Sequence, residues 1–317
     1  MKRLVYLALA LAITGCNLLS KDPVKEDNTN GNEGGGGEIT TPLFPAGNDE
    51  VDGVAQPKGA LKSIETYNFN ESSTSVIWGR DLRTITYDEL GRPKREDFLY
   101  YNYENGVYQG TTRTGGSNLF FYSPGKVELK YRYSDGEVIT IGKIELNSDG
   151  LAEISDTGSE KNGKWVSSSK WQFTYNAGRW ALKKKLIGSA NDRDVEYSWN
   201  DDGSLYSAKE QWNGPANPDE DGSEYYNYGI DNPTYKQAYD ISEIVLNLGG
   251  YYFAGLGSSK LPTSVRTTYR NEGKVFTYQK ASSGQIVKIS EKIWPFADDD
   301  PQAKNFLYHE YKLSYYD

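Results

Sequence analysis

The stretch T-Y-D-E-L-G-R, Thr86 to Arg92, decides how this chain folds. Behind it runs Arg83-Thr84-Ile85-Thr86-Tyr87, polar and apolar by turns, which is the pattern of a strand with one wet and one buried face. Within it, an Asp that can bond its own backbone leads to a Gly that can take positive φ, the chemistry of a tight turn. The same order returns as Y-N-A-G-R at 175–179, W-N-D-D-G at 199–203 and Y-R-N-E-G at 269–273, with shorter versions ending at Gly106, Gly136, Gly150 and Gly284. Across these stretches the aromatic and the glycine recur while the acids and the arginine vary. Asp88 and Gly91 therefore shape a hairpin and Arg92 opens the next strand; the motif is a corner of the fold, not a site.

Composition agrees. The chain has 26 Tyr, 7 Trp and 33 Gly against one Met and one Cys, the balance of half-buried pleated surfaces punctuated by turns. The expected class is all-β and mainly antiparallel: a meander of short hairpins forming a curled sheet, partial barrel or sandwich, because exposed sheet edges must be paired or covered. One segment breaks the rhythm. Asn213 to Asp221 is a Pro- and acid-rich loop, and after it Tyr239, Ile241, Ile244, Val245 and Leu248 share one helical face before Gly249-Gly250. A short helix near 236–248, plugging or capping the sheet, is the expectation.

The first residues address the chain. Lys2 and Arg3 precede an apolar run, Leu4 to Ala12, too short to span a bilayer as a helix. It ends in Ile13-Thr14-Gly15-Cys16, which resembles the bacterial lipobox, and Cys16 is the only cysteine in the chain. The resemblance implies a signal peptide over 1–15 and acylation of the Cys16 thiol, with two or more acyl chains holding the mature protein on a membrane. Asn17, where an Asp would favour inner-membrane retention, points to the outer membrane, on either its periplasmic face or the cell surface. Residues 16–49 are rich in Asn, Asp, Gly and Thr and cannot bury enough apolar surface to order themselves, so they read as a flexible tether spanning about 30 Å. Residues 50–317 form the β-rich domain, with 213–235 as the place where two lobes would divide. Loss of Lys2 and Arg3 moves the formal charge from −9 to −11. No basic patch is visible, which excludes nucleic acid as a partner.

The Y-D-x-x-G-R element resembles the Tyr-Asp repeat of the RHS type. The block N-L-G-G-Y-Y-F-A-G-L-G-S-S-K-L-P-T-S-V (247–265), followed by Y-R-N-E-G-K-V-F-T-Y-Q-K (269–280), resembles a domain-of-unknown-function family of Bacteroidota lipoproteins, most sharply at Ser259-Lys260-Leu261-Pro262. That resemblance implies a β architecture and an envelope location, and no activity.

Chemistry is thin. His309 is the only histidine, in the alternating run Phe306 to Tyr311, and the bland reading makes it a solvent-facing strand residue. With Cys16 consumed by the anchor, no nucleophile–base set can be assembled, and zinc or copper sites of ordinary composition are excluded. No catalytic residue is assigned. Asn217, Asp219 and Asp221, with Gly222 next, resemble the opening of a calcium loop, but the twelfth place falls on Tyr228 where a bidentate Glu is required. Calcium is thus the weaker reading and a polar loop the stronger. The aromatics near the interrupting loop, Trp212, Tyr225, Tyr226 and Tyr228, are the better ligand-binding candidates, since flat rings can stack on a sugar or clasp a peptide. The leading expectation is a membrane-anchored, non-enzymatic envelope lipoprotein that binds or scaffolds a glycan, peptide or envelope partner. A carboxylate-dependent polysaccharide hydrolase and a lipid-handling envelope component are the alternatives.

Overall fold

The computed structural model describes residues 55–70, 73–104, 106–176, 180–188, 193–212, 222–234, 241, 257–267, 272–295 and 306–317. Its strands are β1 (Leu61–Asn70), β2 (Ser73–Tyr87), β3 (Pro93–Glu104), β4 (Val107–Ser123), β5 (Lys126–Arg132), β6 (Val138–Leu146), β7 (Ala152–Lys161) and β8 (Lys164–Tyr175). They continue as β9 (Ala181–Ile187), β10 (Arg193–Trp199), β11 (Leu205–Trp212), β12 (Gly222–Asp231), β13 (Lys260–Thr267), β14 (Glu272–Lys280), β15 (Ile286–Pro295) and β16 (Phe306–Tyr315). Each pairs with its neighbours in sequence, all antiparallel, and β16 returns to β1 with Leu61 opposite Tyr315 and Asn68 opposite His309. The curled sheet expected from the hairpin pattern is a closed barrel, the arrangement that leaves no edge. The helix expected near 236–248 falls outside the described residues except for Ile241, and all the described elements are strands.

Even-numbered strands run toward one end of the barrel, here the turn end; odd-numbered strands run toward the other, the loop end. At the turn end the T-Y-D-E-L-G-R stretch does what its chemistry requires. Asp88 N donates to Arg92 O (2.8 Å) and Gly91 N to Asp88 O (2.9 Å), and the same pair of bonds closes 147–151, 200–204 and 281–285. Gly91, Gly150, Gly203 and Gly284 take φ between 72° and 88°, a turn-plus-left-handed-residue loop that a side chain would strain. Asp88 Oδ1 accepts from Leu90 N and Arg92 N, and its other oxygen holds the Arg92 guanidinium.

The aromatic that precedes many of these turns has a separate task. Tyr87 OH donates to Leu61 O, Tyr122 OH to Pro93 O, Tyr175 OH to Ala152 O, Trp199 Nε1 to Ala181 O, Tyr278 OH to Pro262 O and Tyr315 OH to Ile286 O, all at 2.6–2.7 Å. In each case a descending strand, near its last residue, locks the first residues of the ascending strand before it. The ring fills the interior and the polar tip satisfies a carbonyl that packing has removed from water.

Residues directly opposite in an antiparallel pair share a face. Tyr122, Val127, Ile144, Ser155, Trp171 and Leu186 thus form one interior row across β4 to β9. At the turn end Tyr122 and Val127 from this row, with Leu61, Ile85, Tyr87, Leu205, Leu261 and Ile286, none more than 1 % exposed, make an apolar floor inside the barrel. Ile241, from the connection between β12 and β13, is wholly buried in it. Its N–H donates to Thr234 Oγ1 (2.8 Å), while Asn232 Nδ2 donates to Ser258 O (2.7 Å) and Ser259 N to Gly203 O (3.1 Å), so the connection is fastened to the β10–β11 turn.

Candidate functional site

Beyond the floor, toward the loop end, the interior rows turn polar. Phe276, Glu291, His309 and Asn68 face one another in order across β14, β15, β16 and β1. Glu291 is 2 % exposed, receives Lys274 Nζ on Oε1 (2.8 Å), and on Oε2 meets His309 Nδ1 (3.1 Å) and the Tyr311 hydroxyl (3.0 Å). Burial alone would raise its pKa; the bond to His309 and the charge of Lys274 outweigh burial and bring it down to about 2. His309 was expected to face solvent. It faces inward because its strand is in register with Glu291, and the alternation Tyr308-His309-Glu310 could not say which parity is inside.

A second polar group lies on β9 to β12. Phe173, Lys184, Val195 and Glu210 form an interior row, with the Lys184 ammonium 5.0 Å from the Trp171 ring. Burial, reinforced by the nearby Arg193, lowers the Lys184 pKa to about 8 against the opposing pull of Glu210 and Glu224. Glu210 pairs with Arg193, and Glu224 accepts from the Tyr226 hydroxyl at 2.6 Å. Between the two groups Asn118 Nδ2 donates to the buried Glu96 (2.9 Å). The interior is therefore lined by paired charges above an apolar floor, able to offer both acceptors and cations to a polar molecule.

The sequence-derived candidates do not converge. Tyr226 and Tyr228 lie inside the barrel, whereas Tyr225 is on the outer face, 42 % exposed and edge-on to Tyr206 with centroids 6.1 Å apart. Trp212 ends β11 opposite Arg193. Asn217, Asp219, Asp221, Cys16, Ile13, Thr14 and Gly15 lie outside the described residues. Glu291 and Lys184 were missed. Lys184 left a trace: in Lys183-Lys184-Lys185 a period of two sets the middle lysine on the opposite face from its neighbours.

The outer wall is of another kind. Glu128, Lys143, Asp156 and Lys170 stand side by side across β5 to β8, and Lys183, Glu196 and Lys209 across β9 to β11. Ion pairs bridge strands on this face, Lys183 to Asp194 and Lys288 to Glu310 at 2.7 Å and Arg80 to Glu65.

Comparison with solved structures gives a porin-like fold. A porin-like protein from Bacteroides uniformis superposes with a TM-score of 0.55 at 12% identity, over 82% of this chain and 100% of that one. A porin-like protein from Bacteroides vulgatus gives 0.45 at 11% identity, over 81% and 99%. No known protein family matches the sequence, and no curated protein does. What the porin-like likeness shows is the architecture: a closed, antiparallel sixteen-strand barrel.

Proposed function

We propose that the chain is a lipid-anchored lipoprotein of the outer membrane whose barrel is a binding or scaffolding module for a glycan, peptide or envelope partner. The observation that supports this best is the interior: charged side chains such as Glu291 and Lys184 line it above a packed apolar floor. Such an interior receives a molecule from the loop end and does not pass it through. The anchor is Cys16, after Ile13-Thr14-Gly15, and the YD-like hairpins, each a Tyr or Trp ahead of an Asx–Gly turn, are the units from which the module is built.

Binding of the purified protein to glycan and envelope-peptide arrays tests the reading, with His309→Ala as the interior variant and Tyr225→Ala as the outer-face variant. Loss with the first alone puts the ligand in the interior; loss with the second alone moves it to the outer wall. No binding by the parent protein to either array rejects the module. A Cys16→Ser chain that stays in the membrane fraction would reject the anchor. The second reading, a carboxylate-dependent polysaccharide hydrolase, draws on Glu96 and Glu291 both facing the interior. Release of reducing ends from a glycan panel, lost in Glu96→Gln, would identify it.

A further inference from the structure

We infer that the barrel stands in water, its wall outside the bilayer, and that it forms no transmembrane pore. A barrel that spans a membrane presents an outward apolar band about 25 Å tall, flanked by aromatic girdles. Here the outward positions of β5 are Lys126, Glu128 and Lys130, and their partners on β6 are Glu145, Lys143 and Thr140. Further round, the row Lys183–Glu196–Lys209 occupies the same face. Charges on adjacent strands compensate one another in pairs, which is how a wetted sheet surface is stabilised.

Strand length leads to the same conclusion independently. A spanning strand needs about 9–11 residues at a tilt near 45°. β5 has 7 residues and is bounded by two described turns: Ser123 pairs with Lys126 at one end, and Tyr133 N donates to Glu137 O at the other. Seven residues rise about 23 Å along the strand and under 20 Å along a tilted barrel axis, short of the outward apolar band of about 25 Å that a membrane barrel carries. Large apolar side chains are exposed too, Trp78, Val166, Tyr206 and Tyr225 among them, but the packed apolar cluster is on the inside, as the floor that closes the turn end around Ile241.

The inference concerns the wall and holds whether or not the interior binds a ligand; it takes the acylated Cys16 as the link to the membrane. Because the chain has no other cysteine, a single thiol placed on the wall of the lipidated protein is unique. Glu128→Cys, Lys185→Cys and Lys209→Cys, with Asp201→Cys in a turn as reference, are treated with a membrane-impermeant maleimide in opened membranes and again in detergent. Equal labelling rates in the two conditions are expected at all four positions. Loss of labelling at the three wall positions in membranes, with the turn position unaffected, would overturn the inference. The parent chain, treated in parallel, reports separately on Cys16: label there means that the anchor reading fails, not the wall reading. A second measurement uses the Cys16→Ser chain, expected to be recovered without detergent with a β-sheet circular dichroism spectrum and to give no conductance steps in a planar bilayer. Recovery only in detergent, or stepwise conductance, contradicts the proposal.

Discussion

Tyr175 shows what the recurring aromatic contributes. Its hydroxyl reaches Ala152 O at 2.7 Å, and burial pushes its pKa well up, so it stays a donor at every accessible pH. Tyr175→Phe keeps the ring and leaves a carbonyl without its donor, a loss of about 1 kcal/mol. Tyr87→Phe and Tyr278→Phe sit in other hairpins, and the triple variant should lose close to the sum of the single losses in urea unfolding. Glu291 and Lys184 give opposite pH signatures. The folded pKa of Glu291, about 2, lies below its ordinary value, so its contribution is full above about pH 4.5 and disappears as pH falls toward 2. Glu291→Gln should cost about 3 kcal/mol at neutral pH and progressively less in acid. The folded pKa of Lys184, about 8, also lies below its ordinary value, but for a cation this means the charged form is disfavoured by folding. Below pH 8 the penalty is complete, and it is relieved between pH 8 and about 10.5. Lys184→Met should therefore stabilise the protein at pH 7, by an increment that shrinks as pH rises through that window; an increment independent of pH would show that the lysine is not penalised.

At the scale of elements, the turns were legible because their chemistry is local. Asp88, Asn147 and Asn200 announced their corners, and Gly91, Gly150 and Gly203 their positive φ, within a few residues. What reads across strands was not legible. Gly158 looks like one more glycine in the sequence, yet a Cβ there would stand 2.3 Å from Val166 O and 2.9 Å from Trp165 Cζ2 of the next strand. Gly158→Ala should then destabilise the β7–β8 hairpin, whereas Gly163→Ala in the adjoining turn meets no atom within 4 Å and strains only its φ of 70°. The aromatic cluster chosen as a site is divided between the two faces for a related reason: Tyr225 and Tyr226 are adjacent in sequence, and adjacency in a strand means opposite faces. Ile241 was foreseen on the apolar face of a segment that plugs or caps the sheet, and it does fill the floor. Ile241→Ala removes three carbons from a wholly buried position and should cost about 2–5 kcal/mol, measured as a lowered midpoint of denaturation.

For the whole molecule, alternation specified two faces without saying which was inside, and it could not distinguish an open sheet from a closed one. The choice of face follows from solvent: an outward lysine at a bilayer midplane costs about 2–4 kcal/mol, which favours water over a bilayer core for a wall carrying Lys143, Lys170, Lys185 and Lys209. Closure depends on the most distant contacts in the chain. Ser63 meets Ser314 across 251 residues at 2.6 Å, Tyr316 N donates to Ala60 O (3.0 Å), Gly59 N to Tyr316 O (2.9 Å), and the Tyr316 hydroxyl crosses the seam to Ile85 O (2.7 Å). Every other strand pairing joins neighbours in sequence, so the meander can form stepwise while the seam must wait for both ends, a non-local step that slows folding. Ending the chain after Leu313 removes Ser314, Tyr315 with its bond to Ile286 O and all the Tyr316 contacts, yet it leaves the β15–β16 ladder from Lys288–Lys312 onward and the other hairpins. The shortened protein should keep its β circular dichroism signal while exposing β1 and β16 as free edges, and free edges pair with other chains. Concentration-dependent association in analytical ultracentrifugation is the expected result, with Tyr316→Phe, which loses a single hydrogen bond, remaining monodisperse. A truncated chain that sediments like the intact protein at every concentration would show that the β1–β16 ladder closes the barrel without its last residues.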